Sequence, residues 1–150
     1  VGKPPQPTHR PEQAWEINQA YTEIRSAFAG KQHAPYRFGL KSDSGQTHIE
    51  LAFISSAVGE RYRGVLEAVS ARIGWSLRIR ASANQELIAR EARRLTPGEC
   101  VARGAPRLFP AEGRVVVPVV RAPDAGERAT LETAFCEATG FAIEWETAKA

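Results

Sequence analysis

The chain contains no methionine and only two cysteines in 150 residues, and it has no long apolar run. Each shortage excludes something. No stretch approaches the roughly 18 residues of a membrane-spanning helix, and the Pro-rich start lacks the apolar centre of a secretory signal peptide. A cytoplasmic chain with no membrane partner is expected. Cys100 and Cys136 can form at most one bridge and sit in no C-x-x-C or other ligand spacing. Both are expected to be buried free thiols, Cys136 only partly so beside Phe135. His9, His33 and His48 have no paired carboxylate or second ligand at metal spacing. No G-x-S-x-G, phosphate-binding loop or dinucleotide-binding glycine pattern occurs. Ser55 and Ser56 could hold an anion at a helix start, but serine there reads first as a cap. The sequence therefore predicts no catalytic residues, no cofactor and no metal in this domain alone, and leaves open a site completed by a neighbouring domain.

What is there belongs to a folded domain. The composition is 43% hydrophobic and 25% charged, which argues against wholesale disorder, and the length suits one domain that buries about two thirds of its unfolded surface. The start at Val1 and the lack of methionine suggest part of a larger protein. Residues 1–11 read as a linker closed by Pro11, and residues 12–150 as a single α+β domain.

Ile17, Tyr21, Ile24 and Phe28 recur at helical steps from Glu12 to Phe28, with Gly30 placed to stop the helix. Tyr36 to Leu40 and His48 to Phe53 alternate around Ser42-Asp43-Ser44-Gly45, the pattern of a hairpin whose buried face carries Ile49, Leu51 and Phe53. Tyr62, Val65 or Leu66, Val69 and Ile73 mark the next helix, and Trp75, Leu77 and Ile79 the inward side of a strand after Gly74. Ser82 and Gln85 have capping-box spacing before a helix from Ala83 to Leu95. Short strands are expected at Glu99–Ala102 and Arg107–Phe109. Arg114 to Val120 is strand-like, although Pro118 argues against a central, fully paired position. Asp124 and Glu127 then cap a helix with Leu131, Ala134, Phe135 and Ala138 on its stripe, and Phe141, Ile143 and Trp145 line the last strand.

Two segments echo each other. Gly59-Glu60-Arg61 opens a stretch that stops at Gly74-Trp75, and Gly126-Glu127-Arg128 opens one that stops at Gly140-Phe141. The chain reads as two βαβ-like halves, residues 47–81 and 114–146, with a helix and loop inserted over 83–113. A ferredoxin-like split βαβ pseudo-repeat with an added N-terminal helix and strand is the economical arrangement. Aligning Gly74 with Gly140 sets Arg78 and Arg80 against Glu144 and Glu146 in the outward slots of the two closing strands, a basic edge and an acidic edge that could protect or pair. The outward slots of Ala52, Ile54, Val116, Pro118 and Val120 make a face too apolar for water. One of the two other helices, or a partner, is expected to cover it.

Charge is unevenly spread: residues 1–59 carry net +1, residues 60–107 net +5 and residues 108–150 net −3. Every cation in the middle segment is arginine, whose planar fork meets phosphate oxygens in pairs, although Glu86, Arg90 and Arg94 also have the spacing of ordinary helix-surface pairing. An aromatic sheet platform for RNA is lacking, because the outward slots hold Glu50, Ala52, Val116 and Pro118. A G-x-x-G loop is lacking too, since residues 55–59 read Ser-Ser-Ala-Val-Gly. The reading is an accessory domain that binds nucleic acid, DNA or RNA, with little sequence specificity, through Arg78, Arg80, Arg90, Arg93, Arg94, Arg103 and Arg107. The alternative is protein docking or homo-oligomerisation through a sheet edge and the apolar face, with other domains of the parent protein as partners.

Overall fold

The computed structural model describes residues 14–147; the linker at 1–11, His9 and the helix start expected at Glu12 lie outside the described residues. The chain divides into two compact units, residues 1–81 and 82–150. Both are mixed α+β.

The first unit runs α1 (Ile17–Phe28), β1 (Arg37–Asp43), β2 (Gln46–Ala52), α2 (Ser56–Glu60), α3 (Arg63–Ile73) and β3 (Leu77–Ile79). The Glu16 carboxylate starts α1 by accepting the N–H groups of Asn18 and Gln19 at 3.1 and 3.2 Å. Ala20, Ile24 and Phe28 are its buried stripe. Ser44 and Gly45 both take positive φ, 53° and 79°, which makes a two-residue turn matched to strand twist and fixes the antiparallel register from Asp43–Gln46 to Arg37–Ala52. Ser55 caps α2, its Oγ accepting from the Val58 N–H at 3.3 Å. β3 returns parallel to β2, giving the order β1-β2-β3. Ile49, Leu51 and Phe53 join Ala20, Ile24, Phe28, Leu66, Val69 and Ile73 in the core, with Phe38, Leu40, Leu77 and Ile79 packed on it. The helices thus lie on one face of the sheet.

The second unit repeats the plan: α4 (Gln85–Leu95), β4 (Arg107–Phe109), β5 (Arg114–Val119), α5 (Ala125–Thr139) and β6 (Ala142–Thr147), with sheet order β4-β5-β6, antiparallel then parallel. Ile88 and Ala92 of α4, Val115, Val117 and Val119 of β5, Phe135 and Thr139 of α5, and Ile143 of β6 are buried. Trp145 Nε1 donates to Thr96 Oγ1 at 3.0 Å and ties β6 to the end of α4. Ile49, Gly74 and Leu77 correspond to Val115, Gly140 and Ile143 at one constant offset, because Ile49 pairs with Leu77 as Val115 pairs with Ile143. Gly74 and Gly140 close α3 and α5 in the left-handed conformation, at φ 76° and 75°, where a side chain would be strained.

Several expectations change. The strands form two three-stranded sheets, each complete within its unit, rather than one ferredoxin-like sheet. The hairpin of β1 and β2 forms as expected. The helix expected as an insertion opens the second unit as α1 opens the first. Asn84, not Ser82, caps α4, with its Oδ1 accepting from the Leu87 N–H at 3.0 Å, and Asp124 stands before α5 without a side-chain cap bond. Residues 98–100 form a 3-10 turn instead of a strand, leaving Val101 in a single bridge to Val119. β5 is central in spite of Pro118. The reason is local: β4 pairs only as far as Val116, so the ladder on that side asks no donor of Pro118, whose carbonyl accepts from the Ala102 N–H at 3.4 Å before the single bridge of Val101 to Val119.

Candidate nucleic-acid interface

Alternation along the first sheet turns one set of side chains away from the helices. Phe38, Leu40, Ile49, Leu51, Leu77 and Ile79 go to the core, so Arg37, Gly39 and Lys41, His48, Glu50 and Ala52, and Arg78 share the outer face. The register sets Lys41 beside His48, Gly39 beside Glu50, Glu50 beside Arg78, and Arg37 beside Ala52. The Arg80 N–H donates to the Leu51 carbonyl at 2.9 Å, which carries the alternation one residue past β3 and brings Arg80 to the Ala52 row. Gly39 and Ala52 lie in a shallow depression of about 240 Å³ that Arg37, Lys41 and Glu50 also line. The face thus holds four cations and one central carboxylate. Asp43, at its tip, lies 3.7 Å from Arg78 with both side chains exposed.

His48 sits among these charges. It is 5% exposed, and its Nδ1 is buried without a hydrogen-bond partner, as is Thr47 Oγ1 next to it. Burial first, then the charge of Arg78, holds the imidazole below the ordinary histidine value against the opposite pull of Glu50 and Asp43. The free ring is neutral at neutral pH.

The other arginines singled out in the sequence lie in the second unit. Arg90, Arg93 and Arg94 share α4. Arg90 donates to Glu86 at 2.7 Å, and Arg94 makes three hydrogen bonds to Glu91 at 2.7 to 3.0 Å. Arg107 on β4 donates to Glu146 at 2.9 Å. Arg93 and Arg103 are exposed and have no ion-pair partner among the described residues. Arg78 and Arg80 belong to the first unit.

Glu144 and Glu146 stand on β6, the edge of its sheet, as Arg78 stands on β3, the edge of the other. The residues expected to share one sheet face fall in different units, Ala52 on the sheet of the first and Val116 and Pro118 on that of the second. Ile54 packs on the first core. Val116 is 4% exposed on a face shared with Arg107, Phe109 and Arg114, whose guanidinium lies 4.2 Å over the Phe109 ring. Cys100 is buried as expected, but Cys136 is exposed, since the burial of Phe135 turns its neighbour to the solvent side of α5.

Gly59 and Gly64 bracket the turn between α2 and α3 with four residues between them, so this loop too is no G-x-x-G. The two glycines differ in purpose. A Cβ on Gly59 would meet Ile79 Cγ2 and Phe53 Cδ2 at 2.7 Å, whereas nothing lies within 4 Å of one on Gly64. Arg61 and Arg63 are exposed on the same turn, and Arg63 is paired with Glu60.

Sequence reasoning passed over Arg37 and Lys41 and weighed His48 only as a metal or catalytic group. The signal was available: Arg37 and Lys41 alternate with Phe38 and Leu40, so one hairpin strand is apolar inward and basic outward. Among the described residues, no group of three or more His, Cys, Asp or Glu could hold a metal ion, and no helix is long and apolar enough to cross a membrane. The chain matches no protein-family model, and no curated protein aligns with it significantly.

Proposed function

We propose that the chain is a non-catalytic accessory domain that binds nucleic acid through its phosphates with little sequence readout. The reading rests on the outer face of the first sheet, where Arg37, Lys41, Arg78 and Arg80 surround Glu50. A basic sheet face with no Phe, Tyr or Trp at its outward strand positions suits backbone contact rather than base recognition. The charge balance of the units supports it: residues 1–81 carry 11 Lys and Arg against 7 Asp and Glu, and residues 82–150 carry 9 against 10. Arg90, Arg94 and Arg107 are held by carboxylates, which leaves Arg93 and Arg103 as the more available contacts of the second unit.

The test is the anisotropy of labelled single-stranded and duplex DNA and RNA across a salt series. Each phosphate contact contributes about −0.7 to the slope of log affinity against log salt on a single strand. The proposal expects a slope of several such contacts that shrinks in a Lys41→Glu, Arg78→Glu variant. Absence of binding at low salt would overturn it.

One observation favours the alternative of docking. β6 is a six-residue edge strand carrying Glu144 and Glu146, a strand on which another chain could add. Association through that edge would appear as an increased mass in light scattering and would survive the Lys41→Glu, Arg78→Glu change.

A further inference from the structure

A buried polar atom without a partner is uncommon in a folded protein, and His48 Nδ1 is one of only two such side-chain atoms found among the described residues. Its location makes it informative. The ring belongs to the outer face of the first sheet, with Lys41 directly beside it on β1 and Arg78 diagonally beside it on β3. A neutral imidazole is the state such surroundings favour: two cations flank it and little water reaches it. The carboxylates facing it are Glu50, on its own strand, and Asp43, on β1, and Asp43 already lies 3.7 Å from Arg78.

Now place a phosphate on this face. A phosphodiester seated between Lys41 and Arg78 offsets the two charges that oppose protonation and adds an anion of its own. The imidazolium, unfavourable in the free protein, becomes favourable in the complex. We propose that the Lys41–His48–Arg78 cluster is a phosphate seat for nucleic acid and that filling it is coupled to the uptake of a proton by His48.

The inference rests on the reading of the chain as a nucleic-acid-binding domain and adds a location and a regulation to it. The sign follows from linkage. His48 has a lower pKa in the free protein than in the complex, so affinity rises as pH falls through the interval between the two values and levels off outside it. A pKa difference of about one unit gives a change of up to about tenfold.

The experiment measures anisotropy of a rhodamine-labelled oligothymidylate, at constant ionic strength, from about pH 8 down to about pH 5 around the histidine range. It compares the unaltered chain with His48→Gln and Lys41→Gln. In parallel, NMR follows the titration of the His48 ring in the unaltered chain with and without unlabelled oligonucleotide, so the answer does not depend on either variant folding. Support is a pH-dependent affinity that flattens in His48→Gln and weakens in Lys41→Gln, together with a ring pKa raised by the oligonucleotide. Binding with the same pH profile in His48→Gln, or a ring titration unmoved by the oligonucleotide, overturns the coupling and leaves the nucleic-acid reading standing. No binding at any pH removes both. Inorganic phosphate is the last arm: if it shifts the ring as far as the oligonucleotide does, the seat is for free anions and the proposal is wrong about the ligand.

Discussion

Arg107 and Glu146 are joined at 2.9 Å although they belong to the two outer strands of the second sheet. The bond therefore crosses the central strand, above the face that carries Val116 and Pro118. Both side chains are more than half exposed, so the electrostatic part should be worth about 0.2–1 kcal/mol. A double-mutant cycle with Arg107→Ala and Glu146→Ala, read from urea midpoints, should return a coupling in that range. Strict additivity would show that the pair is a feature of geometry and not of stability.

Gly59 and Gly64 should respond to alanine in opposite directions. At Gly59 the new methyl meets Ile79 and Phe53 at 2.7 Å, and overpacking of this kind costs about 1–3 kcal/mol. At Gly64, inside α3 with open space, alanine should stabilise by up to about 1 kcal/mol through helix propensity. Equal shifts in the two urea midpoints would contradict the packing described for α2.

The free protein should lose stability in mild acid because of His48. Its folded pKa lies below the ordinary value, so below about pH 6.5 the unfolded chain binds the proton that the folded chain refuses. Stability contributed by the neutral ring is present above that pH. It declines as pH falls toward the folded pKa. Urea midpoints taken on both sides of the interval should converge in His48→Gln, and an unchanged difference would assign the effect to other groups.

The thiols should separate by reactivity. Cys136 is exposed and Cys100 buried, so a thiol reagent should label Cys136 in the native protein and Cys100 only after denaturation. Rapid labelling of both would contradict the packing of the second core around Cys100.

Charge reversal should discriminate among the arginines. A guanidinium hydrogen-bonded to Glu86 or Glu91 at 2.7 Å gives up more of its interaction with a phosphate than Arg78 does, whose carboxylate Asp43 stands 3.7 Å away. Reversal of Arg78 should accordingly weaken nucleic-acid affinity more than reversal of Arg90 or Arg94, and should lower the salt slope by about one contact. The reverse ranking would move the surface to α4.

Local signals in the chain were legible where they depend on near neighbours. Ser44-Gly45 marks the hairpin, and Gly74 and Gly140 mark the helix ends. The alternation of Ile49, Leu51, Leu77 and Ile79 assigns the core face. Pairing between distant strands was not legible: the turn joins β1 to β2, but no residue says whether β2 and β5 share one sheet or stand in two. Pro118 misled for a related reason: the ladder with β4 ends at Val116, short of Pro118, and only the pairing in three dimensions shows where it stops. The cluster of Lys41, His48 and Arg78 needs both the register of the hairpin and the return of β3. Neither can be read along the chain, so arginine-rich helix α4 drew attention instead.

Each half of this chain finishes its own sheet with a strand that follows a helix and lies at an outer position. Nothing in either sheet waits for a strand from the other half. Such a piece can be copied in tandem without reopening what came before, and once copied, each version is free to change the character of its surface. Here the second half carries Glu144 at the register position where the first carries Arg78, so one backbone plan presents a cation on one closing strand and a carboxylate on the other.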